Sequence, residues 1–208
     1  MLIMDAILET HGAEDFVLWG VAEPSEERLL RLSGDLSERQ VGTAMAVLAE
    51  YGKGPRVPGE NDARDGMELV RRLVAAECVV APGGLRVRDT ATGVTVLPGC
   101  CFGLENWRDW IELLDGGEPW FGHDPEPYAE HLGAVIRMWP DAAHPEATPV
   151  DIPRAELRRL LGSVQDDLVA FLDSVQGWAS CRFACLAPAL IARLDEGFAV
   201  TVPLGDSP

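Results

Sequence analysis

The sequence predicts an α+β fold, mainly helical, with one small antiparallel sheet. Three observations predict it. Leu85, Val87 and Asp89 alternate with Arg86 and Arg88, and Val94 and Val96 alternate with Thr95 and Leu97. The connection between them, Thr90-Ala91-Thr92-Gly93, suits a hairpin over 85–98. AVIRMW over 134–139 reads as a further strand halted by Pro140, and several other stretches repeat apolar residues at helical spacing behind recognisable caps.

Met1–Leu8 is apolar on a helical period and is expected to open a short helix, while EDFVLWGV over 14–21 is too short to assign. Ser25 with Glu26 and Glu27 after Pro24 reads as a helix start, running to Leu32 and stopping at Ser33-Gly34. Ser37 and Gln40 have capping-box spacing, ahead of a stripe of Val41, Ala44, Met45 and Leu48. Residues 52–63, GKGPRVPGENDA, are the clearest linker, and they lack the GxxxxGK[ST] frame of a phosphate loop. A third helix is expected over 65–80. After the hairpin come a tight loop, Gly99–Gly103, and a helix over 104–114 closed by Gly116-Gly117. Asp124-Pro125-Glu126-Pro127 is a helix entry that would place His131 on a helix. Asp151 ahead of Pro153 begins one C-terminal helix and Ser163 a second, ended by Gly177. Pro188 should split the apolar stretch 178–194, and FAVTVPL over 198–204 offers a last strand for the hairpin sheet.

The whole chain, 1–208, is expected as one domain, with room for a helical N-terminal subdomain over 1–60 and a linker over 52–64. Of its residues 47% are hydrophobic, enough for a real core. Acidic side chains number 34 against 17 basic, a net charge of −17. That argues against direct phosphate contact with nucleic acid and against an anionic membrane. It suits a basic protein partner, and it also keeps a protein soluble whatever its function. Met1–Thr10 has no basic leader region, and the longest nearly apolar run, 183–192, is too short for a span, so a cytoplasmic location is expected. Five cysteines, an odd number, do not suggest a disulfide framework there. In composition alone the chain is similar to bacterial immunity proteins, acidic proteins that neutralise basic toxins; that likeness assigns no residue.

The unusual residues concentrate between Leu85 and Pro140. As a helix of ordinary pitch, 105–114 would put Trp107, Trp110, Ile111 and Leu114 on one face and Glu105, Asp109 and Glu112 on its neighbour. With Trp120 these carboxylates make the expected binding face, acidic and edged by aromatics, for an arginine-bearing partner. The first functional expectation is therefore a non-enzymatic protein-binding module with no cofactor; a homodimer through the tryptophan-bearing helix is also compatible. The alternative places a small-ligand or enzymatic site at Trp120–His131, zinc-assisted or not. There His123, Asp124 and His131 are the candidate acid–base groups, because imidazole exchanges protons near neutral pH. Cys100 is the candidate nucleophile, its thiol pKa depressed by a following helix N-terminus. Cys181 and Cys185, four apart, would share a helix face as two metal ligands would. No CxxC pair occurs, and the neighbours Cys100 and Cys101 would point to opposite sides of an extended strand.

Overall fold

The computed structural model describes residues 1–51 and 65–205. It is α+β, with helices packed on two small antiparallel sheets. The first sheet has the order β2-β1-β3-β4, from β1 (Leu2–Glu9), β2 (Leu29–Arg31), β3 (Gly83–Asp89) and β4 (Thr95–Val96). β1 runs antiparallel to β3 from Leu2↔Asp89 to Leu8↔Gly83. The expected hairpin is present, with Val87 opposite Val96.

β1 replaces the helix expected at the N-terminus. Met4 to Leu8 are all buried, so this strand is covered on both faces and carries no polar alternation to mark it. Its one charged member, Asp5, is 2% exposed and is satisfied by Arg31 Nε at 3.0 Å, Arg86 at 2.9 Å and Arg88 at 3.4 Å. The helix expected from Ser25 is also absent. Ser25 Oγ accepts from the Leu29 amide and donates to the Leu29 carbonyl, and Arg28 takes a left-handed φ of 54°. The serine thus holds a turn that delivers β2 to the edge of β1. Residues 1–51 contribute β1 and β2 to the shared sheet, and the expected linker lies outside the described residues.

The capping predictions hold at α1 (Glu38–Tyr51). Ser37 N donates to Gln40 Oε1 at 2.9 Å, and Gln40 N donates back to Ser37 Oγ at 3.4 Å. α2 (Gly66–Ala75) is capped by Asp65, which accepts from Glu68 N at 2.7 Å. It ends short of the expected Val80.

The second sheet, β5 (Tyr128–Leu132), β6 (Val135–Trp139) and β7 (Val150–Pro153), takes the strand expected at 134–139 away from the hairpin sheet. β5 replaces the helix expected after Asp124-Pro125-Glu126-Pro127, so His131 lies on a strand, whereas the helix expected behind Pro153 forms, beginning at Arg154. α3 (Arg154–Arg182) is one helix through both Gly162 and Gly177. Its buried stripe runs unbroken from Leu157 and Leu160 through Val164, Leu168, Phe171 and Val175 to Trp178, and that packing outweighs two glycine penalties of about 1 kcal/mol each. α3 packs against β1, α1 and α4 (Ala187–Phe198). Pro188 sits in the first turn of α4, where its missing N–H costs nothing. The last strand expected at 198–204 does not form. Gln165 donates instead to the Val200 and Val202 carbonyls at 2.6 and 2.7 Å, and Arg108 to those of Ala199 and Pro203 at 2.9 and 2.7 Å. Among the described residues no helix is long and apolar enough to cross a membrane.

Candidate functional site

Residues 104–115 form a 3₁₀ helix, and its threefold period rearranges the faces expected at ordinary pitch. Leu104, Trp107, Trp110 and Leu113 now share one face, and all four are buried. Trp107 is fully enclosed, its Nε1 donating to the Phe198 carbonyl at 2.8 Å. The tryptophans of this helix are core, not an edge to a binding surface. Asp109 and Glu112 remain together on the outer side. Glu105 turns away from them and accepts from the Ala81 amide at 2.9 Å. Burial pushes the Glu105 carboxyl above its ordinary pKa, and burial together with the Glu112 charge does the same to Asp109.

The loop after β4 meets the loop after this helix. Gly99 N donates to the Phe121 carbonyl at 2.8 Å, Cys100 N to that of His123 at 2.6 Å, and His123 N to that of Cys100 at 3.1 Å. These bonds clamp the two loops side by side. Phe121 forms the floor beneath, buried against Trp110 at 4.7 Å and Phe102 at 5.8 Å between ring centroids. Cys101 has φ 68°, a left-handed backbone that cysteine seldom adopts. That turn overrides the strand rule that would send neighbouring side chains apart. The Cys100 and Cys101 sulfurs lie 3.3 Å from one another, and both side chains are exposed. The ligand atoms of Cys100, Cys101 and His123 all fall within 4.8 Å of each other. Around them stand Asp124, whose carboxylate is 3.2 Å from His123 Nδ1, and Trp120, 54% exposed, with its ring 6.4 Å from the imidazole.

The field at this cluster is negative. The hydrogen bond to Cys101 raises the Cys100 thiol pKa most; desolvation and the charges of Cys101, Glu9 and Asp124 raise it further. The shift runs opposite to the depressed thiol expected at Cys100, chiefly because of the Cys101 hydrogen bond and desolvation. The same negative field draws a cation. Desolvation and the charges of Glu9, Cys100 and Cys101 also raise the Tyr51 phenol, which places the end of α1 beside the cluster.

Other predicted residues stand apart. Arg154, which has no lone pair, donates to His131 Nδ1 at 3.0 Å, so Nε2 bears the proton and donates to the Gly117 carbonyl at 2.9 Å. Arg154 also binds the Leu113 and Leu114 carbonyls at 2.9 and 2.6 Å. His131 therefore helps fasten the end of the 3₁₀ helix to the second sheet, with neither ring nitrogen left for catalysis. Cys181 is on α3, but Cys185 lies beyond its end, so they do not share the helix face expected of them. Both are exposed, and among the described residues no metal-ligand group forms around them. Glu9, Tyr51, Gly99 and Gly122 were not legible as site residues; only the Gly99-Cys100-Cys101 run hinted at a turn there.

No family model, curated protein or solved structure compared with this chain matches it.

Proposed function

We propose that this protein binds a thiophilic metal ion, with zinc as its representative, through Cys100, Cys101 and His123. The observation that carries the reading is the convergence of three soft ligands on one rigid clamp. Ligands of a tetrahedral zinc stand about 3.5–3.8 Å apart, given Zn–S of ~2.3 Å and Zn–N of ~2.0 Å. The sulfur pair at 3.3 Å and a group spanning no more than 4.8 Å need only small side-chain adjustments to meet that spacing. Asp124 suits the outer role of a carboxylate that holds His123 Nδ1–H, leaving the Nε2 lone pair for the metal. Three protein ligands leave one position open, as in catalytic and transfer sites rather than four-ligand structural ones. Exposure of all three favours exchange of the metal, and a reducing cytoplasm would keep the thiols ready for it. The test is zinc titration against a chromophoric chelator. One equivalent should bind the wild type, and Cys100→Ser or His123→Ala should weaken it at least tenfold. Unchanged stoichiometry and affinity in Cys100→Ser/Cys101→Ser/His123→Ala would overturn the assignment.

A second reading, a basic protein partner on the acidic face, is favoured by one observation. Among the described residues Asp109 and Glu112 make no ion pair, and their mutual repulsion is left uncompensated. Trp120, exposed on the adjoining loop, would supply the aromatic contact. The role would be occlusion and electrostatic steering. Capture from lysate at low salt should yield a basic protein that salt releases and that Asp109→Arg/Glu112→Arg no longer holds. Binding indifferent to both salt and the double substitution would end this reading.

A further inference from the structure

The closeness of Cys100 and Cys101 supports chemistry that needs no metal. Five cysteines are exposed and free, yet among the described residues only this pair has its sulfurs in contact, at 3.3 Å. The left-handed Cys101 creates that contact and the Gly99–Gly122 clamp preserves it. We propose that Cys100 and Cys101 form a site of reversible oxidation, closing a disulfide between adjacent residues by exchange with a low-molecular-weight disulfide. In the first step the thiolate of one cysteine attacks a sulfur of the reagent. The reagent's S–S bond breaks, a mixed disulfide forms, and one small thiol leaves, taking up the proton the cysteine released. The neighbouring thiolate, already in contact, then attacks the protein sulfur of the mixed disulfide and expels the second small thiol. Two protein thiols lose two electrons, and one small disulfide gains them to become two thiols. Cys78, Cys181 and Cys185 have no neighbouring sulfur among the described residues, so their reaction stops at the mixed disulfide.

Two features shape the preferred reagent and the reversibility. Glu9 and Asp124 make the surroundings negative, which favours a cationic disulfide over an anionic one. Adjacent α-carbons are only ~3.8 Å apart across a trans peptide, below the ~4.4–6.8 Å usual for protein disulfides, so a small thiol should reopen the bond readily. The proposal uses the sulfurs of the metal reading but rests on their contact, not on metal occupancy.

The experiment treats the full chain, freed of metal by a chelator, with cystamine, followed by proteolysis and mass spectrometry. The peptide bearing Cys100 and Cys101 should lose two hydrogens and carry no adduct, reverting with cysteamine, while Cys78, Cys181 and Cys185 carry cysteamine adducts. Cys100→Ser should leave a stable adduct on Cys101, in protein whose melting temperature is unchanged. If the wild-type peptide keeps two adducts, or keeps both thiols while the other three cysteines react, the proposal fails. Zinc added beforehand should protect the pair. Failure to protect would count against the metal assignment and leave the oxidation chemistry standing.

Discussion

Gly122 passes over Gly99 so closely that a Cβ on Gly122 would lie 2.5 Å from the Gly99 carbonyl carbon. In the other direction, a Cβ on Gly99 would lie 2.5 Å from the His123 amide nitrogen. Gly122 also has φ +99°, a conformation costly for any residue with a side chain. Gly122→Ala should therefore part the two loops, destabilise the fold by about 1–3 kcal/mol and abolish zinc binding although all three ligands remain. A thermal melt with a parallel zinc titration checks this. A variant that melts and binds like the wild type would mean the clamp does not hold the ligands.

At the proposed metal site, proton competition sets the pH dependence of binding. Because the Cys100 thiol pKa is raised, its proton must be displaced by the metal across the neutral range. Apparent zinc affinity should climb with pH until it passes the raised thiol value, with proton release on binding. Calorimetry in two buffers of different ionisation enthalpy would measure that release. Its absence would exclude a thiolate ligand.

Trp107 and Trp120 make a controlled contrast. Trp107 is wholly enclosed, and Trp120 stands 54% exposed beside His123. Trp107→Ala should cost about 3–5 kcal/mol and broaden or abolish cooperative unfolding. Trp120→Ala should stay within about 0.5 kcal/mol of wild type, but should remove most of any fluorescence change on adding zinc. A large stability loss at Trp120 would show a packing role not visible in its exposure.

Glu105 gives a signed pH effect on stability. Burial raises its folded pKa above that of the unfolded chain, so the folded state holds the proton more tightly. The associated stabilisation is fully present below the ordinary carboxyl range and is lost as pH rises through the raised folded value. Glu105→Gln keeps an acceptor for the Ala81 amide but cannot ionise. The melting temperature of wild type relative to this variant should fall as pH rises across that window. A difference that grows with pH would mean that the Ala81 hydrogen bond, not burial, dominates.

What the sequence determined by itself is chemistry that closes over a few residues. The Ser37–Gln40 box depends on groups three positions apart and the 85–98 hairpin on a four-residue connection, and both are where their residues predict. The sequence also offered Cys100 and His123 as candidates, because side-chain type alone sets which groups can ligate or exchange protons. Tertiary structure decided the rest. An apolar run such as Met4–Leu8 becomes a strand only because partners cover both its faces, and α3 crosses two glycines only because its stripe stays buried. The pitch of the 3₁₀ helix moved Glu105 off the acidic face and buried Trp107 and Trp110. Above all, Cys100 meets His123 through backbone bonds between distant loops, and Cys101 meets Cys100 through a left-handed turn. Local propensity cannot encode such a meeting, because it acts along the chain, whereas ligand geometry depends on which separated segments the core forces together.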